Sequence, residues 1–211
     1  MARNSKRKDV KAMDEVMQQI SSDPSHIQSL IMMLSDKGTA RFGAAKKLRL
    51  ISRARPSLLY ADFEVFAKLL DSTSSVLLWN GIIILSYLVS VDNDKRFDKV
   101  FGRYYSHLWD GKLITTANIL GSSGRIARCR PDLAKRITAE LLKVDDIPLP
   151  TAECREVARG HVLSSFNEYL SILKTHRPVH NFIIRCTKSH RPAVKKQAEE
   201  LLSRIGRAVS M

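Results

Sequence analysis

Acidic residues are scarce in this chain. It carries Asp+Glu 21 against Lys+Arg 35, a formal net charge of +14 at pH 7, and no acid falls between Asp36 and Asp62 or between Glu168 and Glu199. A surplus of that size favours polyanionic or acidic partners: nucleic acid, an acidic protein face or anionic lipid. Cysteine is just as sparse. Cys129, Cys154 and Cys186 are odd in number and far apart, with no CxxC or Cys/His ligand spacing. That excludes a disulfide framework and a zinc site, and leaves reduced, buried thiols as the expectation. The six histidines form no HExxH pattern, and Pro178 separates His176 from His180. No Ser or Cys sits in a nucleophile motif. Nothing implies a metal, a cofactor or catalysis. Aromatic residues make up 7% of the chain, and only Phe42 and Trp79 are placed to stack on bases, so single-strand readout has little to work with. Met1 to Lys11 has no apolar core followed by a cleavage site, which points to a cytoplasmic protein.

Long apolar runs are also missing. The longest, Val76 to Val91, includes Asn80, Ser86 and Ser90, where a spanning helix needs ~20 apolar residues. It is apolar on nearly every side, so it reads as the central helix of a helical stack, covered by its neighbours. Hydrophobic content of 44% suits a globular chain. Residues 1–8 are expected to form a basic flexible tail and 9–211 a single domain. Asp9 to Ile20 is expected to be a first helix with Val10, Met13, Val16, Met17 and Ile20 on one stripe. Ser22-Asp23-Pro24-Ser25 then breaks it.

From there the chain repeats. Ala40–Leu48, Leu77–Leu85, Leu113–Gly121, Cys154–Val162 and Val194–Leu202 align on one small residue: Ala44, Gly81, Ala117, Ala158 and Ala198. The steps between these landmarks are 37, 36, 41 and 40 residues. A further amphipathic run precedes each segment, at 26–35, 58–70, 97–108, 133–144 and 179–187, and prolines mark the joints. A small residue at one recurrent helical position lets helices approach closely, and no unit can bury its stripe alone. Gly121 and Gly124 fit the same close packing; no strand precedes them and no Gly-Lys-Ser/Thr follows, as a phosphate loop would require.

Two helices per ~40 residues is the period of HEAT and armadillo solenoids. Ala40-Arg41-x-x-Ala44-Ala45-x-x-Leu48 and Val194-Lys195-x-x-Ala198-x-x-Leu201-Leu202 resemble the second-helix pattern of that family. The resemblance covers roughly residues 25 to 207. It implies an all-α, right-handed solenoid of about five helical hairpins plus an N-terminal helix. It also implies a turn aspartate that pairs with the arginine of the second helix, at Asp36, Asp71, Asp110 and Asp145. The second and third segments depart from the pattern, with Leu78 and Ile114 in place of the arginine. Such repeats speak to fold and leave function to the surface.

With Ala44, Leu48 and Ile51 facing the core, a 100° step puts Phe42, Lys46, Arg49 and Arg53 on the opposite face. The matching positions are Trp79, Ile83, Ser86 and Ser90 in the second segment, and Thr115, Ile119, Ser122 and Ile126 in the third. Second helices line the concave surface of HEAT-like arrays. The resemblance therefore implies a groove with Phe42, Trp79, Ile83, Ile119 and Ile126 as its apolar floor. Lys46, Arg49, Arg53 and Arg125 form the rim. Such a strip suits an acidic or amphipathic protein segment. The alternative is nucleic-acid binding through the Arg/Lys clusters, Lys196 included. A minor variant comes from a HEAT-like family of alkylpurine DNA glycosylases, similar in size, charge and helical content. The chain offers Trp79 but no evident aspartate beside it.

Overall fold

A computed structural model describes residues 2–209 of the chain, with side chains described for 11–206. Met1, the first residue of the expected tail, and the side chain of Val10 lie outside that description. Among the described residues the structure is all-helical, with no strand. Two compact units form, residues 1–99 and 100–211.

Unit 1 opens with α1 (Ala2–Ser22), which takes in the basic stretch at 3–8. Val16 and Ile20 are buried on its inner stripe. The breaker at 22–25 leads into α2 (His26–Met33), which buries Ile27, Leu30 and Ile31. Next comes α3 (Ala40–Ala54), burying Ala44, Ala45, Leu48 and Ile51, so the first landmark faces the core as its spacing predicts. Pro56 opens a 3-10 turn at the first position, where its missing N–H costs nothing. The expected amphipathic run at 58–70 is not one helix. It divides into that turn, the short α4 (Phe63–Lys68) and a second 3-10 turn at Leu69–Asp71.

The central apolar segment is α5 (Ser75–Leu88), buried at Leu77, Leu78, Ile82, Ile84, Leu85 and Leu88. Its polar residues tolerate burial by bonding to their own helix: Asn80 Nδ2 donates to the Val76 carbonyl at 2.7 Å, and the Ser86 hydroxyl to that of Ile83 at 2.7 Å. At Gly81 a Cβ would fall 2.7 Å from Leu69 Cβ and 3.3 Å from the Phe66 carbonyl oxygen. Only glycine permits that approach. Asp92 then organises the start of α6 (Arg96–Ser106). Its carboxylate accepts from the backbone N–H of Arg96 at 2.8 Å, the N–H of Phe97 at 2.9 Å and the Tyr60 hydroxyl at 2.7 Å.

Unit 2 contains the rest of α6, then α7 (Leu113–Cys129), α8 (Ala134–Leu142) and α9 (Ala152–Glu168). It closes with α10 (Leu170–Leu173), α11 (Arg177–Cys186) and α12 (Pro192–Val209). Helices α7 and α9 pack directly against each other, as do α9 with α12 and α11 with α12. Ala158 and Ala198 are fully buried landmarks. Ala117 is only half-buried. The inward side of α7 instead carries Thr116, Leu120, Ser123, Gly124 and Ala127 together with Thr115, Ile119, Ser122 and Ile126. The third segment is therefore rotated from the phase set by Ala117.

The turn aspartates behave unequally. Asp145 accepts from Arg159 Nε at 2.8 Å and lies 3.4 Å from a terminal nitrogen of Arg185. Its partner is thus Arg159, one turn further along α9 than Arg155, which occupies the position equivalent to Arg41. Asp110 meets His107 Nδ1 at 2.8 Å. Glu156 is buried, accepts from Arg159 and from the Ser189 hydroxyl, and so ties the start of α9 to the α11–α12 turn. Among the described residues no helix is long and apolar enough to cross a membrane.

Candidate functional site

The sequence-derived floor and rim divide between the two units. In unit 1, Phe42, Trp79 and Ile83 are each half-buried. On α5 the apolar positions that escape full burial are Val76 in the first turn and then Trp79, Ile83 and Tyr87, the last three spaced at i, i+4 and i+8. That spacing places them on one side of the helix. Tyr87 takes the role expected of Ser86, which is fully buried. The sequence signal was present, because an aromatic four residues after Ile83 continues the stripe, but carrying over the register of Phe42, Lys46, Arg49 and Arg53 selects Ser86 instead.

Helices α3 and α5 pack against each other. On α3, Phe42, Lys46, Arg49 and Arg53 follow the same three-to-four-residue spacing, with Lys46 and Arg53 exposed and Phe42 and Arg49 half-buried. The Arg41 guanidinium lies 4.9 Å from the centre of the Phe42 ring. Lys46, Arg49 and Arg53 meet no carboxylate among the described residues, and the acid-free span from 37 to 61 offers them none within their own helix.

In unit 2 the expected floor needs correction. Ile119 and Ile126 have no exposed surface and belong to the core, so α7 presents neither of them to a ligand. Arg125 is half-buried and Lys196 is exposed, 4.0 Å from Glu200. Several arginines of this unit are held in ion pairs: Arg159 with Asp145 and Glu156, Arg191 with Glu153, and Arg130 with Asp132 at 2.7 Å. The cations of α3 stand beside the α5 stripe and are free to meet an external anion.

No group of three or more His, Cys, Asp or Glu residues able to hold a metal ion occurs among the described residues. The three cysteines are free, with Cys186 buried. Burial pushes the Cys186 thiol up to about 12, away from nucleophilic chemistry. His161 is held below its ordinary value by burial. Asp92, the buried carboxylate of unit 1, is occupied with two backbone N–H groups and the Tyr60 hydroxyl.

Comparison with protein-family models and with curated proteins finds no match. Solved structures do match. The designed armadillo repeat protein YIII(Dq.V1)4CPAF, in complex with peptide (KR)4, superposes with a TM-score of 0.64 at 16% identity, over 93% of this chain and 90% of its own. The designed armadillo repeat protein YIII(Dq)4CqI gives a TM-score of 0.59 at 16% identity, over 91% of this chain and 86% of its own. The fold is an armadillo/HEAT-type α-helical repeat, as the two-helix period implies.

Proposed function

We propose that the chain is a non-catalytic interaction scaffold whose α3–α5 face holds an acidic or amphipathic segment of a protein partner. The observation that carries this reading is the pairing of one incompletely buried apolar stripe, Trp79, Ile83 and Tyr87, with the unpaired cations Lys46, Arg49 and Arg53 on the adjacent helix. Apolar anchors in a charged rim are the pattern of helix-in-groove and extended-peptide recognition. The similar designed protein was solved with a basic peptide. This chain, at +14, has the opposite preference, because like charges across an interface are repelled.

Nucleic-acid binding is the competing reading and draws on the same cations. It has few aromatic platforms to use, and half-burial of Phe42 and Trp79 limits stacking on either ring. Glycosylase-like hydrolysis would need a carboxylate beside Trp79, and Asp92 is committed to capping α6.

The test is fluorescence anisotropy with a labelled peptide of alternating leucine and glutamate. Trp79→Ala combined with Ile83→Ala removes the anchors and should cost about 2 kcal/mol or more, roughly thirty-fold in Kd, with the helical circular dichroism spectrum retained. Unchanged affinity in the double variant contradicts the proposed face.

A further inference from the structure

Unit 2 carries a second surface that the repeat pattern does not account for. A cleft of about 480 Å³ opens between the end of α6, the 3-10 turn that follows it (His107–Asp110) and α8. Its floor is aromatic and held in place. Phe101 and Tyr105 are nearly buried and lie against each other, ring centres 4.6 Å apart and planes tilted by 38°. The Tyr105 hydroxyl shares a hydrogen bond with the Ser123 hydroxyl at 3.0 Å, which fixes the ring. On the α8 side the Arg136 guanidinium lies 4.0 Å from the centre of the Phe101 ring. At the end of the cleft Trp109 stands 46% exposed.

The cleft is open for a structural reason. Gly102 lies in its lining, and a Cβ there would meet nothing within 4 Å. A larger residue at that position of α6 would project into this open space. The exposed tryptophan, the fixed aromatic floor and the stacked arginine are the side-chain types that dominate binding energy at interfaces.

The charges select the occupant. Glu140 and Lys143 on the rim pair with each other at 2.9 Å and cancel. Arg136 makes no ion pair among the described residues. We infer that this cleft is a docking site for a partner protein segment that inserts one apolar side chain against Phe101 and Trp109 and sets a neighbouring carboxylate on Arg136. A second copy of the chain is a poor occupant, since two molecules at +14 repel. A nucleic-acid backbone is a poor one as well. It needs several cations in line, and here Arg136 is the one lining cation that no carboxylate pairs among the described residues.

The experiment uses the full chain with Trp79→Phe, so that Trp109 is the remaining indole. The probe is a peptide with one phenylalanine flanked by glutamates. Its addition should shift or quench Trp109 emission and saturate. Gly102→Leu fills the cleft without removing any contact and should weaken binding by about ten-fold or more, with circular dichroism unchanged. Arg136→Gln should weaken binding to the glutamate-flanked peptide more than to the same peptide with glutamines. Lys46→Glu, on the α3 face, should leave this binding intact, so failure of the α3–α5 reading and failure of this one are distinguishable. A silent Trp109, equal affinity in Gly102→Leu, self-association that Gly102→Leu abolishes, or tighter binding of a short oligonucleotide than of the peptide would each overturn the inference.

Discussion

The Ser165 hydroxyl stands inside the α7 ladder at Gly124. It accepts a hydrogen bond from the Gly124 N–H at 3.0 Å and donates to the Leu120 carbonyl, the two groups an α-helix pairs with each other. A Cβ on residue 124 would fall 2.7 Å from both the Cα and the carbonyl oxygen of Ser165. Two helices are thus joined through a gap that only glycine leaves, and a side chain inserts into the backbone hydrogen bonding of its neighbour.

Gly124→Ala should accordingly destabilise the chain by about 1–3 kcal/mol, the range for overpacking a tight contact. The clash is with backbone and cannot be relieved by a rotamer change. Gly43→Ala is the control. A Cβ there meets nothing within 4 Å, and replacing a mid-helix glycine should stabilise by about 0.5–1 kcal/mol. Urea unfolding of both variants checks the pair of opposite signs.

The α9 charge network gives a second prediction. Glu156 is 8% exposed and depends on Arg159 and Ser189. Arg159→Leu removes the cation from that carboxylate and leaves Asp145 only the longer contact to Arg185, at a cost of about 1–3 kcal/mol. Adding Glu156→Gln to Arg159→Leu should recover part of the loss, because the amide is cheaper to leave in the same site. Denaturation midpoints of the single and double variants test the coupling.

Stability should fall at both ends of the pH scale. Cys186 has its folded value raised by burial from 9.0 to about 12. Folding favours the protonated thiol, so that contribution is whole below about pH 9 and drains away as pH rises toward 12. The Tyr60 hydroxyl behaves alike. Burial and its hydrogen bond to Asp92 push it from 10.0 up to about 12, which adds loss above pH 10. His161 has the opposite sense. Burial lowers it from 6.5, so its contribution is present above that pH and falls away in acid. Urea midpoints across pH should show His161→Phe blunting the acid limb and Cys186→Ala blunting the alkaline one. Parallel limbs in native and variant chains contradict these assignments.

Much of the fold was legible in the sequence because the landmarks Ala44, Gly81, Ala158 and Ala198 recur at one period and all face the core. The third landmark was not. Thr115, Thr116, Ser122 and Ser123 are buried on α7, and hydropathy reads them as surface. The Ser123 hydroxyl meets its needs locally, at the Ile119 carbonyl, and Ser86 on α5 does the same. Where buried hydroxyls bond to their own helix, the apolar stripe no longer marks the inner face. Ile119 and Ile126 therefore looked like groove floor and are core. The Trp109 cleft escaped sequence reading for another reason. Its walls, Phe101 and Arg136, come from different helices, and no spacing along the chain reveals that they stack.

The most direct measurement is a side-by-side anisotropy titration of the chain with the leucine–glutamate peptide, a (KR)4 peptide and a duplex oligonucleotide, repeated with Lys46, Arg49 and Arg53 changed to Glu. The account predicts that the acidic peptide binds and (KR)4 does not, and that the charge-reversed chain loses the acidic peptide by about ten-fold or more. The oligonucleotide should be released by moderate salt while part of the peptide binding, carried by apolar burial, survives. Binding of (KR)4, or an oligonucleotide that outlasts the peptide at physiological salt, would contradict a scaffold for acidic protein segments.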